Sequence, residues 1–270
     1  MSSLGSSLSI LGLFGPDRPT LSAESITESL GFTRPTGYRY LRELVASGLL
    51  VRLAPGTYAL GPRIIELDWQ IRQSDPLLRA GLSVIQDLSA DTGFEVNLIG
   101  RYGDHIVTTH QQHGLERLPL SFGRGRPMPL FRGAGSKIII AHFPKARLRR
   151  LYDVHGAEAR QAKLGTHWEA VRRALAAIRK QGYAVSHGEL DPGYVGVAAP
   201  VFAADGDILG SVIAALSRTR LAITDIDRLI GRIRAAGQTI SLRLAEFGQV
   251  PAPLQSGALR DTAPPARRSA

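Results

Sequence analysis

At 270 residues, with 44% hydrophobic composition and a formal net charge of +10, the chain is long enough for two domains with a core each. Cysteine is absent, which excludes disulfides and thiolate metal sites; no apolar run nears the roughly 18–20 residues that span a bilayer, and Met1 to Ser9 lack the basic and apolar regions of a secretory leader, so a cytoplasmic chain is expected. The charge is unevenly placed: residues 1–73 hold seven Lys/Arg against six Asp/Glu, whereas Arg117 to Arg150 hold nine basic residues and no acidic one.

Leu8, Ile10, Leu11, Leu13 and Phe14 predict a short apolar helix stopped by Gly15-Pro16. Ser22 is expected to cap a second helix that carries Ile26 and Leu30 and ends at Gly31, a residue at ease in the left-handed position after a helix. Thr33 is expected to cap a third, with Pro35 tolerated in its first turn. Tyr38, Leu41, Leu44 and Val45 give that helix an apolar face, and Gly48 closes it. Apolar runs at residues 49–53 and 57–60 flank Ala54-Pro55-Gly56 and predict a β-hairpin. Helices followed by a hairpin in this order are the winged form of the helix-turn-helix. Gly61-Pro62 then opens a helix over residues 64–73, whose Ile64, Ile65, Leu67, Trp69 and Ile71 make a wide apolar face.

Asp75-Pro76 starts a further helix with Leu78, Leu82, Ile85 and Leu88 on one stripe. Strands are expected at residues 94–99 and 106–109, around a turn at residues 101–104. Helices follow at residues 133–142 and 166–180, and strands at 183–186, 195–202 and 208–216, the last two joined through Asp205-Gly206. A final helix, capped by Thr224, runs to Phe247, and the composition of residues 249–270 predicts a disordered tail. The chain thus divides into a winged helix-turn-helix (residues 1–61), a linker helix (62–74), an α+β sensor and oligomerisation domain (75–248) and the tail.

The exposed face of the third helix would carry Arg34, Thr36, Arg39 and Arg42, with no acidic residue before Glu43. Arginines there neutralise phosphates or fork onto guanine, and a threonine contacts a phosphate or a thymine methyl. A solvated surface is the other reading of the same pattern. On the hairpin, Arg52 and Tyr58 are placed for phosphates or for purely structural work.

The runs LSILGLF, LSAESITESLGFTRPTGYRYLRELVASGLL and GTYALGPRIIEL, followed by PLFRGAGSK, GYAVSHGELDPGYVGVAAPVF and LAITDIDRL, resemble the isocitrate lyase regulator (IclR) family across residues 8–247. The third-helix signature Thr36, Tyr38, Arg39, Leu41 is its most specific element, and it adds Tyr38 to the DNA-facing set. Thr33-Arg34-Pro35 departs from the family's usual sequence there, which bears on operator preference. The resemblance implies a GAF-like, profilin-related sensor, dimers or tetramers, palindromic double-stranded operators, and small organic acids or aromatic compounds as effectors. By motif, the effector positions are Ala134, Gly135, Ser186, Glu189, Gly196, Ala215 and Ser217. Phe131 stands where the family commonly has histidine, and Arg132 where it has a small residue. The pair is read as a ring to stack on an aromatic acid and a clamp for its carboxylate, against the plainer alternatives of core filler and surface charge.

No cofactor or metal is expected. GAGSK lacks the order of a phosphate loop, and His105 and His110 alternate across a strand rather than converging on an ion. The rival classes are an enzyme, for which no nucleophile elbow or paired carboxylates are found, and a sensor that uses its winged helix only for assembly.

Overall fold

The computed structural model describes residues 2–247, and the tail expected at residues 249–270 lies outside them. The described chain divides into two compact units between Ser74 and Asp75.

In the first unit, the Ser2 hydroxyl accepts from Gly5 N and starts helix α1 (Ser3–Leu8), which continues as a 3-10 helix over Ser9–Leu13. The apolar stretch expected as one helix therefore begins earlier, in a polar segment whose serines bond back to nearby carbonyls, and ends tightly wound. Strand β1 (Leu21–Ser22) was not expected; it pairs with β3 (Thr57–Leu60), which pairs in turn with β2 (Leu50–Ala54). Between them lie α2 (Ala23–Leu30), capped by Ser22 as expected, and α3 (Arg34–Ala46). Thr33 precedes α3 without offering a capping oxygen, because its hydroxyl is spent on Thr36 Oγ1 at 3.0 Å.

The core face of α3 differs from the expected one. Gly37, Tyr40, Leu41 and Leu44 are buried, while Tyr38 is 44% exposed. Spacings of three, four and seven place Tyr40 with Leu41 and Leu44, and Gly37 makes room one turn earlier for α2. Tyr40, Ile26, Ile10, Leu50 and Tyr58 then share one small core, so Tyr58 is structural rather than phosphate-facing. Helix α4 (Arg63–Ser74) buries none of its residues.

The second unit is a five-stranded antiparallel sheet with helices on both faces. Asp75 caps α5 (Pro76–Thr92) through two backbone N–H groups. The strands β4 (Glu95–Tyr102), β5 (His105–Gln112), β6 (Ala184–His187), β7 (Tyr194–Phe202) and β8 (Ile208–Ser217) lie in the order β5-β4-β8-β7-β6. The turn expected at residues 101–104 shrinks to its last two residues, because Arg101 and Tyr102 continue β4 and pair with Ile106 and His105.

Alternation sorts the sheet's two faces. Val96, Leu98, Val195, Val197, Val212 and Ala214 pack against α5 and α10 (Ile226–Glu246). Ile99, Ala198 and Ile213 pack against α6 (Ala134–Ile140), α7 (Lys145–Gln161) and α8 (Trp168–Gln181). A short α9 (Arg218–Leu221) precedes α10, whose cap is Asp225 and not Thr224; the Thr224 hydroxyl instead bonds back to Arg220 O. Residues 113–133 form neither helix nor strand, yet Leu118, Met128 and Leu130 are buried and Met128 N donates to Ile106 O.

Candidate DNA-reading helix and ligand-facing sheet row

Two constellations emerge, one in each unit. On α3, Arg34, Tyr38, Arg39 and Arg42 are exposed and Thr36 is half-buried; Arg52 is exposed on β2, opposite Tyr58. The Tyr38 hydroxyl donates to Glu24 at 3.1 Å, which raises the phenol's pKa. Hydrogen bonding to its own backbone and to Tyr38 holds the Glu24 carboxyl below its ordinary value. Tyr38 thus engages the Glu24 carboxylate, which stays ionised beside Arg34. Arg39 stacks over the Tyr40 ring at 5.3 Å, which orients the guanidinium along the helix.

In the sensor unit, strand register draws the expected positions into one row. Ser186 lies opposite Gly196, Gly196 opposite Ala215, and Ala215 opposite Glu95, crossing β6, β7, β8 and β4 on the α6 face. Ala134, at the start of α6, sits above the row. A Cβ built on Gly196 would lie 3.7 Å from Ala134 Cβ and 3.1 Å from Ser186 Oγ. The tight neighbours of such a Cβ are on the sheet itself, Ser186 Oγ and, at 3.0 Å, Ile213 Cδ1, while Ala134 stands at ordinary contact distance. Gly135 makes the same close approach against Ile99 of β4, and its carbonyl accepts from the Ser211 hydroxyl at 3.1 Å. Ser217 lies further along β8 opposite Tyr194 and serves as the cap of α9, accepting from Arg220 N.

Two of the expected effector contacts are turned to other work. Phe131 is fully buried and meets Tyr152 edge-on, so it fills the core instead of offering a ring face. Arg132 donates from Nε and Nη2 to the Glu189 carbonyl and from Nη1 to Gln161 Oε1, so it ties two segments together instead of clamping an anion. Glu189 is itself engaged. Its Oε2 accepts from Gly133 N at 2.8 Å and its Oε1 pairs with Lys137 Nζ, which also reaches Val185 O. Lys137 is nearly fully buried, and such a pair persists because either charge alone would be left desolvated. The chain's own carboxylate thereby fills the start of α6, where the sequence pattern alone suggests an open place for a ligand.

The basic stretch is also largely spent. Arg124 and Arg126 donate to the carbonyls of Thr109 and Ser121, Arg147 pairs with Asp104, and Arg149 with Asp153.

Glu95 and Asn97 were missed from the sequence. The Glu95 side chain is fully buried at the end of the row, accepting from Gln111 Nε2 at 2.7 Å and facing His113 Nδ1 at 3.3 Å. Asn97 turns its Nδ2 to Glu95 at 3.5 Å, which leaves Oδ1 pointing elsewhere, buried and without a donor. Their signal was present: Glu95 and Asn97 alternate with Val96 and Leu98, a polar face that the sheet buries instead of exposing. Among the described residues no group of three or more His, Cys, Asp or Glu is arranged to hold a metal ion, and no helix is long and apolar enough to cross a membrane.

Known proteins match both units. The model of the IclR helix-turn-helix domain matches residues 3–54, and that of the bacterial transcriptional regulator IclR C-terminal domain matches residues 71–242. The chain is 27% identical over 242 residues to the HTH-type transcriptional regulator XynR of Escherichia coli, covering 88% of this chain and 94% of the relative. It superimposes on an IclR transcriptional regulator from Alicyclobacillus acidocaldarius with a TM-score of 0.73 at 23% identity, covering 90% of this chain and 98% of the other. An IclR homologue from Microbacterium hydrocarbonoxydans, complexed with 4-hydroxybenzoate, superimposes with a TM-score of 0.72 at 20% identity, covering 91% and 100%. With a winged helix-turn-helix joined to this α+β domain, and family models spanning both, the chain is a transcriptional regulator and not an enzyme, and it belongs to the IclR family.

Proposed function

We propose that the chain regulates a catabolic pathway from the cytoplasm by binding a palindromic operator as a dimer or tetramer and responding to a small carboxylic acid. Arg34, Thr36, Tyr38, Arg39, Arg42 and Arg52 make the DNA contacts. The effector lies along the row of Ser186, Gly196 and Ala215, beneath Ala134 and Gly135, with Glu189 and Ser217 at its margins. The observation that carries this reading is the register, which aligns Ser186, Gly196 and Ala215 beside the start of α6. Three strand spacings put Glu95 about 14 Å from Ser186, the length of the row along which the acid would lie.

The polarity of the row sharpens the choice of effector. Asn97 Oδ1 is a buried acceptor with no donor, and leaving it so is costly, so the bound molecule carries a hydroxyl or similar donor toward β4. Its carboxylate then belongs at the other end of the row, by the Ser186 hydroxyl. The solved homologue's 4-hydroxybenzoate has this pairing of acid and hydroxyl, which makes it the first probe to try.

The test is operator binding followed by fluorescence anisotropy with and without 4-hydroxybenzoate and benzoate. The hydroxylated acid is expected to shift operator affinity more than benzoate does. Equal responses would remove the Asn97 contact, and no response to any of a panel of small acids would remove the effector class.

A further inference from the structure

A separate cavity of about 620 Å³ opens where the sheet is notched at its edge. Strand β6 starts opposite Ala198, so β7 beyond that residue, from Ala199 to Phe202, has no strand partner on that side, and Phe202 N donates instead to Ser241 Oγ of α10 at 2.9 Å. The notch is walled by the end of α8 and by α10. It shares no lining residue with the row: α6 begins at the row with Ala134, and His142, just past its other end, lines the notch. At 1.5 Å per residue the two places are about 12 Å apart along the helix.

The charge in the notch is one-sided. Arg179, in the last turn of α8, and Arg234, on α10, both line it, and no acidic residue does. A Cβ built on Gly182, the residue that ends α8, would sit 3.8 Å from Arg234 Nε, so Arg234 reaches across to the helix end that carries Arg179. Neither guanidinium has an ion pair or hydrogen bond among the described residues, in contrast to Arg132, Arg147, Arg149, Arg232 and Arg243. The carbonyl end of α8 offers about half a negative charge, too little to balance two full positive ones. Ala199, Pro200, Phe202 and Leu242 supply an apolar floor.

His142 completes the chemistry. Its Nδ1 bonds the Ile138 carbonyl at 2.8 Å, so Nδ1 carries the proton and Nε2 is the lone-pair side. Burial holds its pKa below the ordinary value, with Arg179 acting in the same direction, so the ring stays neutral and Nε2 accepts. The imidazole meets Phe202 edge-on at 5.0 Å, which fixes its plane.

We propose that this notch is a second ligand site, taking a small organic anion whose carboxylate is held by Arg179 and Arg234 and whose ring-sized apolar body rests on Phe202, Pro200 and Leu242. A hydroxyl on that body donates to His142 Nε2. The notch has room to spare for an aromatic acid, and two guanidinium groups lining it, with no counter-ion among the described residues, can each fork onto a carboxylate.

Isothermal titration of the full chain with benzoate, with benzamide as the neutral control, tests this. Arg179→Gln/Arg234→Gln is expected to weaken benzoate binding at the notch by about tenfold or more, with an unchanged melting temperature of the unliganded protein. Gly196→Val, which fills the row, is expected to leave the notch's binding in place. Benzoate binding by the Gly196→Val chain that is insensitive to the two arginine substitutions overturns the proposal, as does benzamide binding as tightly as benzoate. Loss of all benzoate binding in Gly196→Val, with the arginine variant unaffected, also overturns it and leaves the effector row standing.

Discussion

Arg39 and Arg42 are exposed on one face of α3 with no ion-pair partner among the described residues, so removing either would take away the proposed DNA contact and, for Arg39, its stacking on Tyr40. Arg39→Ala and Arg42→Ala are each expected to weaken operator binding while leaving the thermal melt within about 0.5 kcal/mol. A phosphate contact lowers the salt slope by about one, whereas a base contact costs about 1–3 kcal/mol and relaxes specificity at one position. Anisotropy across a salt series separates the two, and unchanged affinity in both variants removes the assignment.

Lys137 and Glu189 make the contrasting case. Glu189→Ala strands a buried ammonium and is expected to cost about 3–5 kcal/mol in denaturant unfolding, whereas Glu189→Ala with Lys137→Met should recover most of it. At the row, Gly196→Val puts methyl groups where Ile213 Cδ1 and Ser186 Oγ already stand 3.0 and 3.1 Å from a Cβ. It is expected to abolish the acid-dependent change in operator affinity and to retain binding without acid.

Residue-level legibility was uneven for a physical reason. Motif and register agree on Ser186, Gly196 and Ala215 because strand pairing is local and periodic. Arg132 and Phe131 were misread because their partners, Glu189, Gln161 and Tyr152, arrive from segments about 20 to 57 residues away, which spacing along the chain does not reveal.

At the scale of elements, most helices and strands follow from period and caps: Ser22 and Asp75 cap as expected, and Asp205-Gly206 lies in the turn between β7 and β8. What failed were features that depend on a distant partner. Strand β1 is too short to declare itself and exists because β3 lies beside it. Tyr40, not Tyr38, entered the core because α2 approaches α3 over Gly37 and fixes the helix's rotation. That crossing gives a direct test. A Cβ on Gly37 would lie 2.1 Å from Thr27 Cγ2, so Gly37→Ala is expected to destabilise the first unit by about 1–3 kcal/mol. Thr27→Ser removes that methyl and keeps the hydroxyl bonded to Ala23 O, so the double variant should be more stable than additivity allows. Strict additivity in urea unfolding contradicts the proposed contact.

At the scale of the whole molecule, α4 buries none of its residues among the described part of the chain. Ile65, Trp69 and Ile71 are 73%, 63% and 55% exposed, and a helix with this much apolar surface is seldom left in water. The proposed occupant is a second copy of the chain, which would also satisfy recognition, since one small winged helix contacts too little DNA to select a site. Sedimentation is expected to give a dimer or larger species at micromolar concentration, and Trp69→Glu to shift it toward monomer. A monomeric parent chain contradicts this.

An acid matters to regulation only through a difference in its affinity for two arrangements of the assembly; equal affinity would shift nothing. A coupling of about 1–3 kcal/mol corresponds to roughly a 5- to 150-fold change in operator affinity. The most direct measurement is therefore anisotropy of the full chain on duplex DNA from upstream of its own gene, against a random duplex of equal length, with and without 4-hydroxybenzoate or the best acid from a thermal-shift screen. Tighter binding to the upstream duplex is expected, with a shift of about that size on adding acid. Equal affinity for both duplexes, unmoved by any acid that stabilises the protein, would contradict it.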